Sequence, residues 1–262
     1  MIISIINHSN GKLKDKDIQT VLRAINRQLK EDFYPYWSIG GTLRLEGKSD
    51  AKPEVQDLAD MRGDGVIYLW DKTDVEDAIG YHDKNNRGIP FGFVFLEIAK
   101  ELGEDWSVTL SHEALEMIGD PEVNLMVMGP HPDPAIERDV FHWYEMCDAV
   151  QSEVYQIDGV NVSNFVLPLY FTGGDEFDGR NDFMGTIHPG KKTLKSFSVN
   201  PAGYVGFFDP QKKDHETYTQ KGDVKAQKRM KIKARVKGTR RAIRYQRHVT
   251  KQNVKLAAQE TK

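Results

Sequence analysis

The segment S-H-E-A-L-E-M-I-G-D-P-E, from Ser111 to Glu122, constrains this chain more than any other. His112 and Glu113 are adjacent, Glu116 follows His112 by one helical turn, and Asp120 follows by one more. On a helix, positions i, i+4 and i+8 share a face, so His112, Glu116 and Asp120 present an imidazole and two carboxylates together. Glu113 lies beside that face. The arrangement is close to H-E-x-x-H, in which two ligands one turn apart hold zinc and the intervening Glu acts as general base. Here Glu116 stands where the second His would be, and a carboxylate also binds zinc. Read alone, the segment fits the solvated face of an ordinary amphipathic helix better than a metal site.

Around it the chain reads as α/β. The run from Ile2 to Ile6 is a buried strand, and the stretch from Asp17 to Leu29 has helical periodicity, with Ile18, Val21, Leu22, Ile25 and Leu29 on one side. Short strands are expected from Thr42 to Leu45 and from Gly65 to Trp70. Another is expected from Gly88 to Leu96, where Pro90 points to an edge position. The motif helix should run from about Trp106 to Ile118 and close at Gly119-Asp-Pro121.

A second helix is expected from Ile136 to Glu153, which would place Glu145 and Asp148 near one face. Glu145 is then the candidate third metal ligand. Asp148 is the candidate partner for the distal nitrogen of His112, the usual way a carboxylate fixes a ligating imidazole, or an alternative ligand. Asp120 and Glu122 compete for the third-ligand place. Beyond Gly159 the chain turns strand-rich, with a break at Pro168. The acidic loop from Gly173 to Asp182 offers oxygen ligands without the spacing of an EF-hand, so a solvated loop is the simpler reading. His188 and Tyr204 are candidates for stabilising charge at the metal, and His131 carries no assignment. The single cysteine, Cys147, excludes an internal disulfide and reads as a small buried hydrophobe.

Several segments together carry a resemblance. They are A-I-G-Y-H-D at Ala78 to Asp83, G-I-P-F-G-F-V-F at Gly88 to Phe95, and the S-H-E-A-L-E helix. Y-E-M-C-D-A-V-Q at Tyr144 to Gln151 and I-D-G-V-N-V-S-N-F-V-L-P at Ile157 to Pro168 complete the set. Over roughly residues 65 to 172 the chain resembles a family of phage and bacterial proteins regarded as zincin-like metallopeptidases. The resemblance implies a zincin-like mixed sheet with an active-site helix, a zinc cofactor and a peptide or protein substrate. In such enzymes an edge strand pairs with extended substrate, and Gly88 to Phe95 is the candidate for that role.

Net charge is −3, but it divides sharply. From Gln211 to Lys262 there are 17 Lys and Arg against 4 Asp and Glu, a formal +13. Residues 1 to 210 carry 19 basic against 35 acidic side chains, a formal −16. Two parts are therefore expected, a zincin-like domain over 1–210 and a basic arm over 211–262. The arm's partner would be an acidic protein surface or nucleic acid, in a homo-oligomer or a virion assembly. Within the arm, R-M-K-I-K-A-R-V-K from Arg229 to Lys237 alternates with strand period, and Arg240 to Ala258 is weakly helical. No run is long enough to span a membrane, and Ile2 to Ile6 lacks the cationic flank of a signal peptide, so a cytoplasmic or virion location is expected. Two functions follow. One is a metal-dependent peptidase with Glu113 as base; the other is a structural or assembly protein that keeps the fold without hydrolysis.

Overall fold

The computed structural model describes residues 1–47, 62–72, 82–85, 87–189 and 193–233. Its centre is a mixed sheet of five strands in the order β2-β1-β3-β5-β4. These are β1 (Ile2–His8), β2 (Thr42–Glu46), β3 (Gly65–Trp70), β4 (His82–Lys84) and β5 (Pro90–Phe95). The first three and β5 run parallel, and β4 returns antiparallel to β5. Parallel strands need both faces covered, and both are. Ile3, Ile5, Ile67, Leu69 and Val94 face α1 (Asp15–Arg27) and a later helix; Ile6, Val66, Tyr68, Phe91, Phe93 and Phe95 form a second cluster with Ile98. Ile98 belongs to α3 (Leu96–Leu102), while a short α2 (Tyr34–Trp37) follows a π-helical turn at Gln28–Phe33. The mixed helix-and-sheet class expected from the sequence is present.

The motif helix is α4 (Trp106–Gly119), matching the expected range within a residue. It is buried from Ser107 to Gly119, between the central sheet and the hairpin of β8 (Val154–Ile157) and β9 (Val160–Ser163). A second sheet, ordered β11-β10-β7-β6, is antiparallel. It comprises β6 (Met126–Pro130), β7 (Asp139–Trp143), β10 (Val205–Asp209) and β11 (Asp214–Tyr218). The last helix is α5 (Val224–Lys233).

Five expectations change. The helix expected from Ile136 to Glu153 is instead β7, a loop and one 3-10 turn at Asp148–Val150. Its D-V-F-H-W core is β-branched and aromatic, with Val140 and His142 inward, a period of two that the helical reading overlooked. The strand beginning at Pro90 is not an edge strand. Proline is tolerated as first residue of a strand, and β4 takes the edge. Pro168–Phe171 is a 3-10 turn rather than strand.

The basic segment is not set apart at residue 211. Tyr218, Glu216 and Asp214 pair with Val205, Phe207 and Asp209. The expected strand at Arg229 is helix as far as Lys233, seating Ala226 and Ile232 inward and joining Arg229 to Glu104 of α3. Lysine, arginine, glutamine and alanine are good helix formers, and docking on α3 through Arg229 and Glu104 holds the helix. The remainder of the basic segment, 234–262, lies outside the described residues.

Candidate metal centre

Because α4 is enclosed, its ionisable residues are enclosed with it. His112 is 2 % exposed and Glu113 and Glu116 are 0 % exposed, which rules out the solvated-face reading. Buried carboxylates must be paired, protonated or metal-bound. His112 Nε2 lies 3.2 Å from Glu116 Oε2 and 3.3 Å from Asp148 Oδ1. Two donors about 2.1 Å from one zinc ion at tetrahedral angles sit about 3.4 Å apart. These separations would suit ligands sharing an ion, and they also suit an ion pair. The other oxygen of Glu116, Oε1, accepts the backbone N–H of Cys147 at 3.2 Å, which fixes the carboxylate plane.

Asp148 faces the same imidazole nitrogen as Glu116, so it stands on the ligand side of His112 and not behind it. It reaches the site from the 3-10 turn, whose backbone is held from below. The N–H of Tyr204 donates to the Asp148 carbonyl at 3.1 Å, and that of Asn200 to Ala149 at 3.0 Å. Gly203 is required at this crossing, because a β-carbon there would collide with the Ala149 carbonyl. Gly203→Ala is expected to cost about 1–3 kcal/mol and to weaken metal binding by displacing Asp148. Thermal melting and a metal titration of the variant check both effects; an unchanged titration would uncouple this turn from the site.

Glu145, the expected third ligand, is 8 % exposed; it offers an oxygen within 4.8 Å of donors of Glu116 and Asp148, and its Oε2 also lies 3.9 Å from Nε2 of a second imidazole, His82. The sequence reading included His82 only as part of the G-Y-H-D segment and gave it no role. A lone histidine on a strand has no i+4 partner to mark it. Its cross-strand partner is Gly92, which shares a face with Val94 and so looks toward α4. There His82 Nδ1 meets Glu113 Oε2 at 2.9 Å and Glu116 Oε2 at 3.6 Å.

The electrostatics follow from this crowding. Burial lowers the His82 pKa, but the hydrogen bond to Glu113 and the charges of Glu145, Glu113 and Glu116 outweigh it, and the net shift is upward. Burial raises the Glu116 carboxyl, His112 opposes this, and Asp148 and Glu145 push it up again. Burial, then the charges of Glu116 and Asp148, lift the Cys147 thiol well above its usual value. Three donor sets each lie mutually within 4.8 Å, namely His112-Glu116-Cys147, His82-Glu113-Glu116 and Glu116-Glu145-Asp148, so this cluster can hold a metal ion.

The other candidates lie elsewhere. Asp120 accepts the N–H groups of Asn124 and Leu125 and holds the turn after α4. Glu122 is exposed and pairs with Lys84 at 3.2 Å. His188 bonds Glu153 at 2.6 Å in a separate buried network with Asn164 and Asn200. Burial lowers the pKa of His131, which packs against Phe207. A fourth donor set, His131-Asp209-Glu216, is less suited to a cation, because Arg138 and Lys212 already pair with Asp209. In the acidic loop, Asp175 accepts from Asn181 at 2.6 Å and Asp178 pairs with Arg180. Comparison with family models, with curated proteins and with solved structures returns no match to this chain.

Proposed function

We propose that the chain is a metal-dependent hydrolase acting on peptide bonds, with zinc or a similar divalent ion held by His112, Glu116 and Asp148. The observation that carries this reading is the burial of Glu113 beside that donor set, at 0 % exposure and one residue from a ligating imidazole. A divalent ion held by these residues would supply Lewis-acid polarisation of a carbonyl and acidify water there. Glu113 takes the proton from that water and returns it to the departing amine. His82, hydrogen-bonded to Glu113 Oε2, fixes the orientation of the base. Glu145 in turn steadies the other nitrogen of His82.

The peptide preference rests on β4. Among the described residues it ends the central sheet, runs antiparallel to β5 and carries His82, so an extended chain added to its outer edge would lie alongside the site. Two carboxylates and one imidazole donate more negative charge than two imidazoles and one carboxylate. That makes the ion a weaker Lewis acid and admits harder metals than zinc. A fluorogenic peptide library incubated with metal-loaded protein tests the reading. Cleavage should disappear with chelator and return when the metal is restored. A fully loaded protein that cleaves nothing would overturn it and favour a structural or assembly role.

A further inference from the structure

The cluster holds more donors than one ion uses. Two imidazoles, His82 and His112, and four carboxylates, Glu113, Glu116, Glu145 and Asp148, are all at least nine-tenths buried together. A zinc site takes about four protein donors or three with an open position. The donors also fall into two groups that meet at one atom. Glu116 Oε2 is 3.2 Å from His112 Nε2 on one side and 3.6 Å from His82 Nδ1 on the other. Each imidazole has a second carboxylate of its own, Asp148 at 3.3 Å for His112 and Glu113 at 2.9 Å for His82.

We infer that the site binds two divalent ions bridged by Glu116, one held by His112 and Asp148, the other by His82 Nδ1 and Glu113. This rests on the metal-binding half of the reading above and is independent of whether peptides are cleaved. Charge supports it. Were all four carboxylates ionised, one divalent ion would leave two negative charges uncompensated and two ions would leave none. Uncompensated charge at this depth is strongly unfavourable. Geometry supports it as well, since a bridging carboxylate oxygen suits ions about 3.5–4 Å apart. Glu145, facing Nε2 of His82, then orients the second imidazole as carboxylates commonly do behind metal-bound histidines. Glu113 would meet the second ion through Oε2, the oxygen that faces His82.

The test is the stoichiometry of the full chain. Purified protein titrated with Mn(II), freed of excess and weighed by native mass spectrometry should saturate at two ions per chain. Its electron paramagnetic resonance should be that of an exchange-coupled pair. His82→Ala and Glu113→Gln should each fall to one ion with an uncoupled signal, and circular dichroism establishes that the variants are folded. Saturation of the wild type at one ion, or two ions retained in folded His82→Ala, would overturn the bridged pair. Two coupled ions without cleavage would leave the pair standing and remove the hydrolase reading, whereas one ion with cleavage would do the reverse.

Discussion

Glu113→Gln is expected to lower peptide turnover by about two orders of magnitude or more, the usual contribution of a positioned general base. Glutamine preserves the volume of a side chain that is wholly buried on α4 and removes its capacity to take a proton. His112, Glu116 and Asp148 are untouched, so the ion they hold should stay. The ion at His112 therefore stays while activity falls, even where the second ion inferred above is lost. Loss of all bound metal would place Glu113 in the primary donor set, and undiminished cleavage would remove it from the chemistry. Steady-state kinetics on the cleaved peptide, beside metal analysis of the same preparation, distinguish these outcomes. His112→Ala should instead lose ion and activity together, because one imidazole faces both partner carboxylates.

Removing residues 211–262 is expected to lower the melting temperature by more than about 10 °C. Charge alone would assign that segment to a separable arm, but its first part completes the second sheet and covers the first. Without β11, β10 becomes an edge and loses the Tyr218 packing against the main core. Without α5, the aromatic face of the central sheet loses Ile232, and Glu104 loses Arg229. Truncating a buried isoleucine alone costs about 2–5 kcal/mol. In a domain of this size each kcal/mol moves the midpoint by about 2–4 °C. Ile232→Asp should reproduce much of the loss by placing a carboxylate among Tyr68, Phe91 and Phe93. A truncated chain melting with the full-length protein would return this segment to the status of an appendage.

The sequence was most informative where burial and periodicity agree. The runs at Ile2, Thr42 and Gly65 became β1, β2 and β3. The one-turn spacing of His112 and Glu116 put their donor atoms 3.2 Å apart on α4. It failed where one pattern satisfies two periods. Val140, Phe141 and Tyr144 fit a helical face as well as a strand, and only pairing with β6 and β10 separates the two. The alternation beginning at Arg229 failed in the opposite direction, because contacts with α3 select a helix. Asp148 does meet His112, but at the nitrogen that Glu116 also faces and not at the distal one, and by another route. The expectation used helical spacing, whereas a 3-10 turn pinned by Tyr204 and Asn200 delivers it. His82 was beyond reach of spacing arguments altogether. Its position depends on β4 folding back on β5, a long-range pairing that no local pattern encodes.

The most direct test of the metal centre is anomalous X-ray scattering from crystals of the chain grown with zinc, recorded on either side of the zinc absorption edge. A peak is expected about 2.0–2.2 Å from His112 Nε2 and from carboxylate oxygens of Glu116 and Asp148. Crystals saturated with zinc that show those three side chains ordered and no anomalous peak between them would contradict it.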